Sequence, residues 1–98
     1  MKQVIWTPTL TLTHDPNASE IYQWDFTEWL DGETLVNPPT VTAATGITAA
    51  IYVVGSASVD VRISGGTAGT TYAVTVRATS ATHSRIQDRT VNFKVAEQ

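Results

Sequence analysis

Apolar and polar residues alternate along most of this chain with a period of two. Tyr22, Trp24 and Phe26 fall on one side of the stretch Ile21 to Thr27, and Gln23, Asp25 and Thr27 fall on the other. Val59, Val61 and Ile63 alternate in the same way with Asp60, Arg62 and Ser64. So do Tyr72, Val74 and Val76 with Ala73, Thr75 and Arg77, and Val91, Phe93 and Val95 with Asn92 and Lys94. Successive side chains of an extended strand point to opposite faces, so each stretch predicts a strand with one buried and one wet face. Ile47 to Val54 alternates less cleanly, but its Ile, Val and Tyr content predicts a fifth strand. Gln3 to Thr13 is rich in threonine and β-branched residues. Pro8 cannot donate to a strand ladder, which makes this segment an edge strand or a strand broken there. Val41 to Ala44 fits a further short strand. Only Thr27 to Leu30 departs toward a helical turn, because Trp29 and Leu30 break the alternation.

The connectors support this reading. His14-Asp15-Pro16-Asn17-Ala18-Ser19 is a turn cluster, Gly65-Gly66-Thr67-Ala68-Gly69 joins two strong strands, and Ser80 to Ser84 closes a hairpin into the last one. Asp31-Gly32 and Val36-Asn37-Pro38-Pro39 bracket a loop or short crossover. About seven short strands at this spacing predict an all-β sandwich or a small barrel. Tyr72 opens a strand just after a glycine-rich corner, where immunoglobulin-type sandwiches place a conserved corner tyrosine. Val74 stands two residues on, at the position of a cysteine in disulfide-bonded members. Trp24 sits mid-strand on the apolar face, as a core tryptophan should. The expected fold is therefore all-β, an immunoglobulin-like β-sandwich of about seven antiparallel strands without a disulfide. Residues 1–98 form one domain, with 1–13 as an edge strand or N-terminal arm.

Composition narrows the function classes. Ninety-eight residues support one modest core, and the absence of cysteine removes disulfides, thiolate metal sites and cysteine nucleophiles. Only 15% of residues are charged and the net charge is −3, which disfavours a nucleic-acid binder that relies on phosphate contacts. Threonine fills much of the polar quota at 17 positions, a strand-forming bias. No apolar run approaches membrane-spanning length, and Met1-Lys2-Gln3 leads into no signal-peptide pattern, so synthesis in a cytoplasm is expected.

Candidate chemistry is sparse. His14 and His83 lie in turn-like polar contexts and read as solvated loop histidines, with no Gly-x-Ser-x-Gly elbow to recruit them. The glycine-rich stretch after Ser64 lacks the Gly-Lys-Ser/Thr ending and feeds a strand, so it is a turn rather than a phosphate loop. Asp31 and Glu33 offer too few oxygens for calcium. Asp25 and Asp60 fall on the outward side of their strands. Arg62 and Arg77 do too, which predicts cross-strand ion pairs rather than an acid–base pair. No catalytic, cofactor-binding or metal-binding residue is assigned. The aromatics say more. Tyr22, Trp24, Phe26, Tyr72 and Phe93 belong to the core, whereas Trp6, Trp29 and Tyr52 are unclaimed by it. These three are the candidate partner contacts, since Trp and Tyr are favoured interface anchors. The alternative places Trp29 as a plug at one end of the sandwich and Trp6 as cover for an edge.

Two stretches carry a resemblance. They are Asp15-Pro16 followed by Tyr22-Gln23-Trp24-Asp25-Phe26-Thr27-Glu28-Trp29-Leu30-Asp31-Gly32-Glu33-Thr34-Leu35, and Ile63-Ser64-Gly65-Gly66-Thr67-Ala68-Gly69-Thr70-Thr71-Tyr72-Ala73-Val74-Thr75-Val76-Arg77-Ala78-Thr79. With the closing Asp88 to Val95 segment, they resemble the small immunoglobulin-like virion proteins of tailed phages, fiber–tail adaptors among them, over roughly Thr13 to Val95. The resemblance implies a non-enzymatic structural protein of the virion, made in the host cytoplasm and present in many copies through virion symmetry. Its implied partners are other virion proteins of tail, fiber, portal-proximal region or capsid, with no nucleic acid, membrane or cofactor. A carbohydrate-binding surface module is the alternative; it would need several coplanar aromatics with polar groups beside them.

Overall fold

The computed structural model describes every residue except Met1, Ile5, Pro8, Thr9, Asn37 and Gln98. Its eight strands are β1 (Lys2–Val4), β2 (Thr11–His14), β3 (Ser19–Asp25), β4 (Thr40–Ala43), β5 (Ile47–Val54), β6 (Ser58–Gly65), β7 (Thr71–Thr79) and β8 (Ile86–Val95). One helical turn, α1 (Thr27–Leu30), follows β3. The strands form two four-stranded sheets, the first in the order β1-β3-β6-β5 and the second in the order β2-β8-β7-β4. This is the immunoglobulin-type arrangement, with β1 and β2 added at the same margin of the two sheets.

Two details differ from the sequence expectation. There are eight strands rather than about seven, and two pairings, β1 with β3 and β2 with β8, are parallel. Both follow from the N-terminal segment contributing a short strand to each sheet in turn. Pro8, expected to break that segment, lies outside the described residues, between a strand of the first sheet and a strand of the second.

The alternation seen along the chain becomes the core. Tyr22, Trp24 and Phe26 pack with Val59, Val61 and Ile63 from the first sheet and with Val74, Val76, Val91, Phe93 and Val95 from the second. Phe93 sits at the centre of an aromatic group, its ring edge-on to Tyr22 at 4.9 Å and tilted 6.4 Å from Trp24. Trp24 is on β3 and fully buried, so aromatic and aliphatic packing fills the space between the sheets without a disulfide.

Tyr72 forms the expected corner. Its hydroxyl accepts the Thr67 backbone N–H at 3.0 Å, tying the start of β7 back across the glycine-rich turn. Gly66, at φ +93°, is required there: an added Cβ would meet Val95 at 2.6 Å and the Tyr72 ring at 3.2 Å. Gly46 approaches the same ring from the other side, where an added Cβ would lie 2.8 Å from it. At the opposite end, Ser80 to Arg85 closes the β7–β8 hairpin, and Leu35 bridges to Ser80.

Candidate functional site

The three unclaimed aromatics each lie beneath an arginine, in very different surroundings. Trp6 is half-buried against the core and donates its indole N–H to the Thr90 carbonyl at 3.0 Å. The Arg89 guanidinium lies 5.2 Å from the Trp6 ring centre and 4.5 Å from that of Phe26, while it also donates to the Asp25 carbonyl at 2.8 Å. Trp29, on α1, is also half-buried and packs edge-on against Phe26 at 6.1 Å. Arg85 lies 4.8 Å from its ring centre. These placements match the alternative reading of both tryptophans, one covering an edge and the other closing an end.

Arg85 organises that end. It donates to the Trp29 and Leu30 carbonyls at 3.0 and 2.9 Å at the C-terminal end of α1, where the Leu30 carbonyl also accepts the Glu33 N–H at 3.1 Å. It also donates to Glu33 Oε2 through Nε and Nη2, at 3.1 and 2.6 Å. Glu33 in turn accepts the Thr82 and His83 backbone N–H groups at 3.1 and 2.9 Å. These bonds, the Arg85 bond foremost, hold the Glu33 carboxyl at a pKa of about 2. The loop after α1 is thereby clamped to the β7–β8 hairpin. His83 is exposed as expected, with Nδ1 3.3 Å from Glu33.

Tyr52 stands apart. It is 53% exposed on β5, between Ile51 at 39% and Val53 at 49%. The register with β6 shifts between Ile51 and Val53, so Tyr52 is the extra residue of a bulge. Arg62, on the neighbouring strand, lies 5.2 Å from the Tyr52 ring centre and donates to the Ser19 hydroxyl at 3.1 Å. Arg62 was expected to form a cross-strand ion pair. Among the described residues it forms none, because the residues opposite it on the two neighbouring strands, Ile21 and Ala50, carry no charge, and Asp60 on its own strand accepts the Gln23 amide at 3.0 Å. Arg77 does form the expected pair, with Asp88 at 2.8 Å. Val36, 42% exposed, and Ile86, 62% exposed, make a second apolar spot. They flank Thr79: the Val36 N–H bonds the Thr79 carbonyl, and Ile86 pairs with Thr79 across the ladder.

Two further expectations are corrected. His14 is not a solvated loop histidine but lies at the end of β2, 1% exposed, with Nδ1 3.4 Å from the Tyr22 hydroxyl. Burial, together with the charge of Lys2, pulls its pKa below the ordinary value. Asp60 is not exposed; it is 6% accessible beneath the outer face of the first sheet. Sequence reasoning missed Arg62, Val36, Ile86 and the Glu33–Arg85 clamp. The one signal for the β5 surface was the absence of any charge from Ile47 to Val54.

No group of three or more His, Asp or Glu among the described residues is placed to hold a metal. A cleft of about 310 Å³ lies between Val4, Trp6, Asp25, Thr27, Glu28 and Arg89. Within it, the Thr27 hydroxyl and N–H hold Asp25 below the ordinary carboxylate range, in a local side-chain turn ahead of α1. Only one aromatic ring lines the cleft, short of the coplanar set a sugar platform needs. No helix among the described residues is long and apolar enough to cross a membrane.

Comparison with known proteins gives this geometry its context. No curated protein matches the chain. Among solved structures, the solution structure of amebosin is similar over 87% of both chains, at 14% identity and a TM-score of 0.43. That likeness is too slight to bear on fold or function. A family model matches residues 14–94, nearly the whole sandwich from the end of β2 into β8; its description is Gp77, podophage GP4 fiber-tail adaptor protein gp77. The chain belongs to this fiber-tail adaptor family: it is a non-enzymatic structural protein of the phage virion that binds other virion proteins.

Proposed function

We propose that the chain does its adaptor work as a preformed wedge with two apolar contacts, one on each sheet. The first is Ile51, Tyr52 and Val53 on β5. The second is Val36 and Ile86 beside the β7–β8 hairpin. The observation that carries this reading is that the five exposed large hydrophobic residues among those described fall into two groups, one on β5 of the first sheet and one made by Ile86 of β8 and Val36 of the loop bonded to β7 of the second. An adaptor must hold two neighbours at once, and two separated apolar spots on a rigid body serve that purpose. A body that is already folded loses little conformational entropy on docking, so modest contacts suffice when virion symmetry repeats them. Tyr52 is the anchor of the first contact. Trp6 and Trp29, whose rings and polar atoms are engaged within the fold, border the partners through their exposed edges.

The test is incorporation into virions. Phage carrying Tyr52→Ser or Ile86→Ser should yield particles depleted of fibers, each variant losing a different neighbour in pull-downs while its own fold persists. Normal fiber content with both variants together would refute the reading.

A further inference from the structure

We propose that the β5 edge is a strand-addition site whose occupant is an extended segment of another virion protein, with apolar residues next to a carboxylate. This rests on the reading of Tyr52 as a partner contact and specifies how that contact is made.

β5 pairs with β6 alone, so among the described residues one side of its backbone has no hydrogen-bonded strand, although β4 of the other sheet packs near it. Sheet edges are templates for further pairing, and proteins usually blunt them by shortness, lysine, proline or a bulge that turns the edge away. The other three edge strands are short: three residues in β1, which begins at Lys2, and four each in β2 and β4. Pro38 and Pro39 lead into β4. β5 is eight residues long and carries neither a charge nor a proline. Its bulge at Tyr52 interrupts pairing with β6 and leaves Ile51, Tyr52 and Val53 exposed in succession. An alternating strand would present only every second residue. Here apolar surface covers both the edge and the adjoining outer face, where an added strand and its side chains would lie together.

Charge selects the occupant. Arg62 borders the patch on the Tyr52 ring and has no carboxylate among the described residues. The carboxylate nearest to it along its own strand, Asp60, is buried and bonded to Gln23. A second copy of this chain paired through β5 would bring another Arg62 to the same junction, and its β5 carries no carboxylate to meet it. An incoming strand with an Asp or Glu beside apolar residues supplies what the surface lacks.

Amide hydrogen exchange on the chain within intact virions, compared with the free chain, tests the proposal. Amides of residues 49–53 should exchange far more slowly in the virion. Incorporation should fall about tenfold for Arg62→Glu and stay within about twofold for Arg62→Lys, as expected for a charge at an interface rim. If Tyr52→Ser is incorporated normally, the reading of the site fails and this proposal with it. If Tyr52→Ser is excluded yet residues 49–53 exchange equally fast in virion and free chain, the surface docks by side chains alone; strand addition is then overturned while the reading of the site stands. A concentration-dependent dimer of the free chain in sedimentation, abolished by Ala50→Lys, would overturn the choice of occupant.

Discussion

The closed end of the sandwich and the β5 edge are built from the same parts, an aromatic ring beneath an arginine, and use them to opposite effect. At the closed end, Arg85 and Arg89 spend their donors on backbone carbonyls, Gln87 and Glu33, and the rings of Trp29 and Trp6 pack on the core. At β5, Arg62 reaches only a serine hydroxyl, and Tyr52 keeps half of its surface in contact with solvent. An arginine–aromatic pair is thus not in itself a sign of structure or of function. What separates the two is whether the guanidinium's remaining donors and the ring's other side already have partners within the chain. The closed end is complete by itself; the β5 pair is not.

The most severe test of that contrast is Arg85→Ala. It leaves the Glu33 carboxylate and two helix-end carbonyls without their shared donor, and we expect a loss of about 2–3 kcal/mol, the scale of several charge-assisted hydrogen bonds less solvent compensation. Urea unfolding with unchanged slope would measure it. A loss no greater than that of a typical surface substitution would show that the clamp is ornamental.

Acid probes the same clamp without mutation. The Glu33 pKa is depressed in the fold, so its stabilisation is present above the ordinary carboxylate range and disappears as pH falls through about 2. Between roughly pH 5 and 2 the wild-type chain should lose stability relative to Glu33→Gln, which lacks this contribution at every pH. Parallel stability–pH curves for the two proteins would contradict the assignment.

The smallest effect on stability belongs to the other region. Tyr52→Ser should shift stability by no more than about 0.5 kcal/mol, as for an exposed side chain that supports nothing beneath it. A large drop in thermal midpoint would erase the distinction between the two regions, because Tyr52 would then be a structural residue like Trp29.

The inward rows were readable from the sequence because a half-buried strand writes its burial as alternation. Trp24, Val61, Val74 and Phe93 all lie where the period-two pattern put them. The corner tyrosine was readable too, since a positive-φ glycine turn before Tyr72 is a local feature. Asp60 and His14 were misread for a shared reason. Pattern assigns a residue to a face or a turn, but burial depends on what lies over it. Gln23 and the β5 edge come over Asp60, and Tyr22 and Phe93 come against His14, from parts of the chain that local pattern does not connect. Ile51 shows the converse: an apolar strand residue, it sits at a sheet margin where the bulge leaves it 39% exposed.

By itself, then, the sequence determined the class of fold, the core rows and the family, because alternation, turn chemistry and ordered motifs are written locally along the chain. It also nominated Trp6, Trp29 and Tyr52 as surplus to the core. Only the tertiary structure separated them, since each arginine and its partners come together from distant strands. The β5 surface emerges only when sheet order leaves that strand at the margin with Arg62 beside it. Which aromatic keeps an open face is a property of what the rest of the chain has left unpaired.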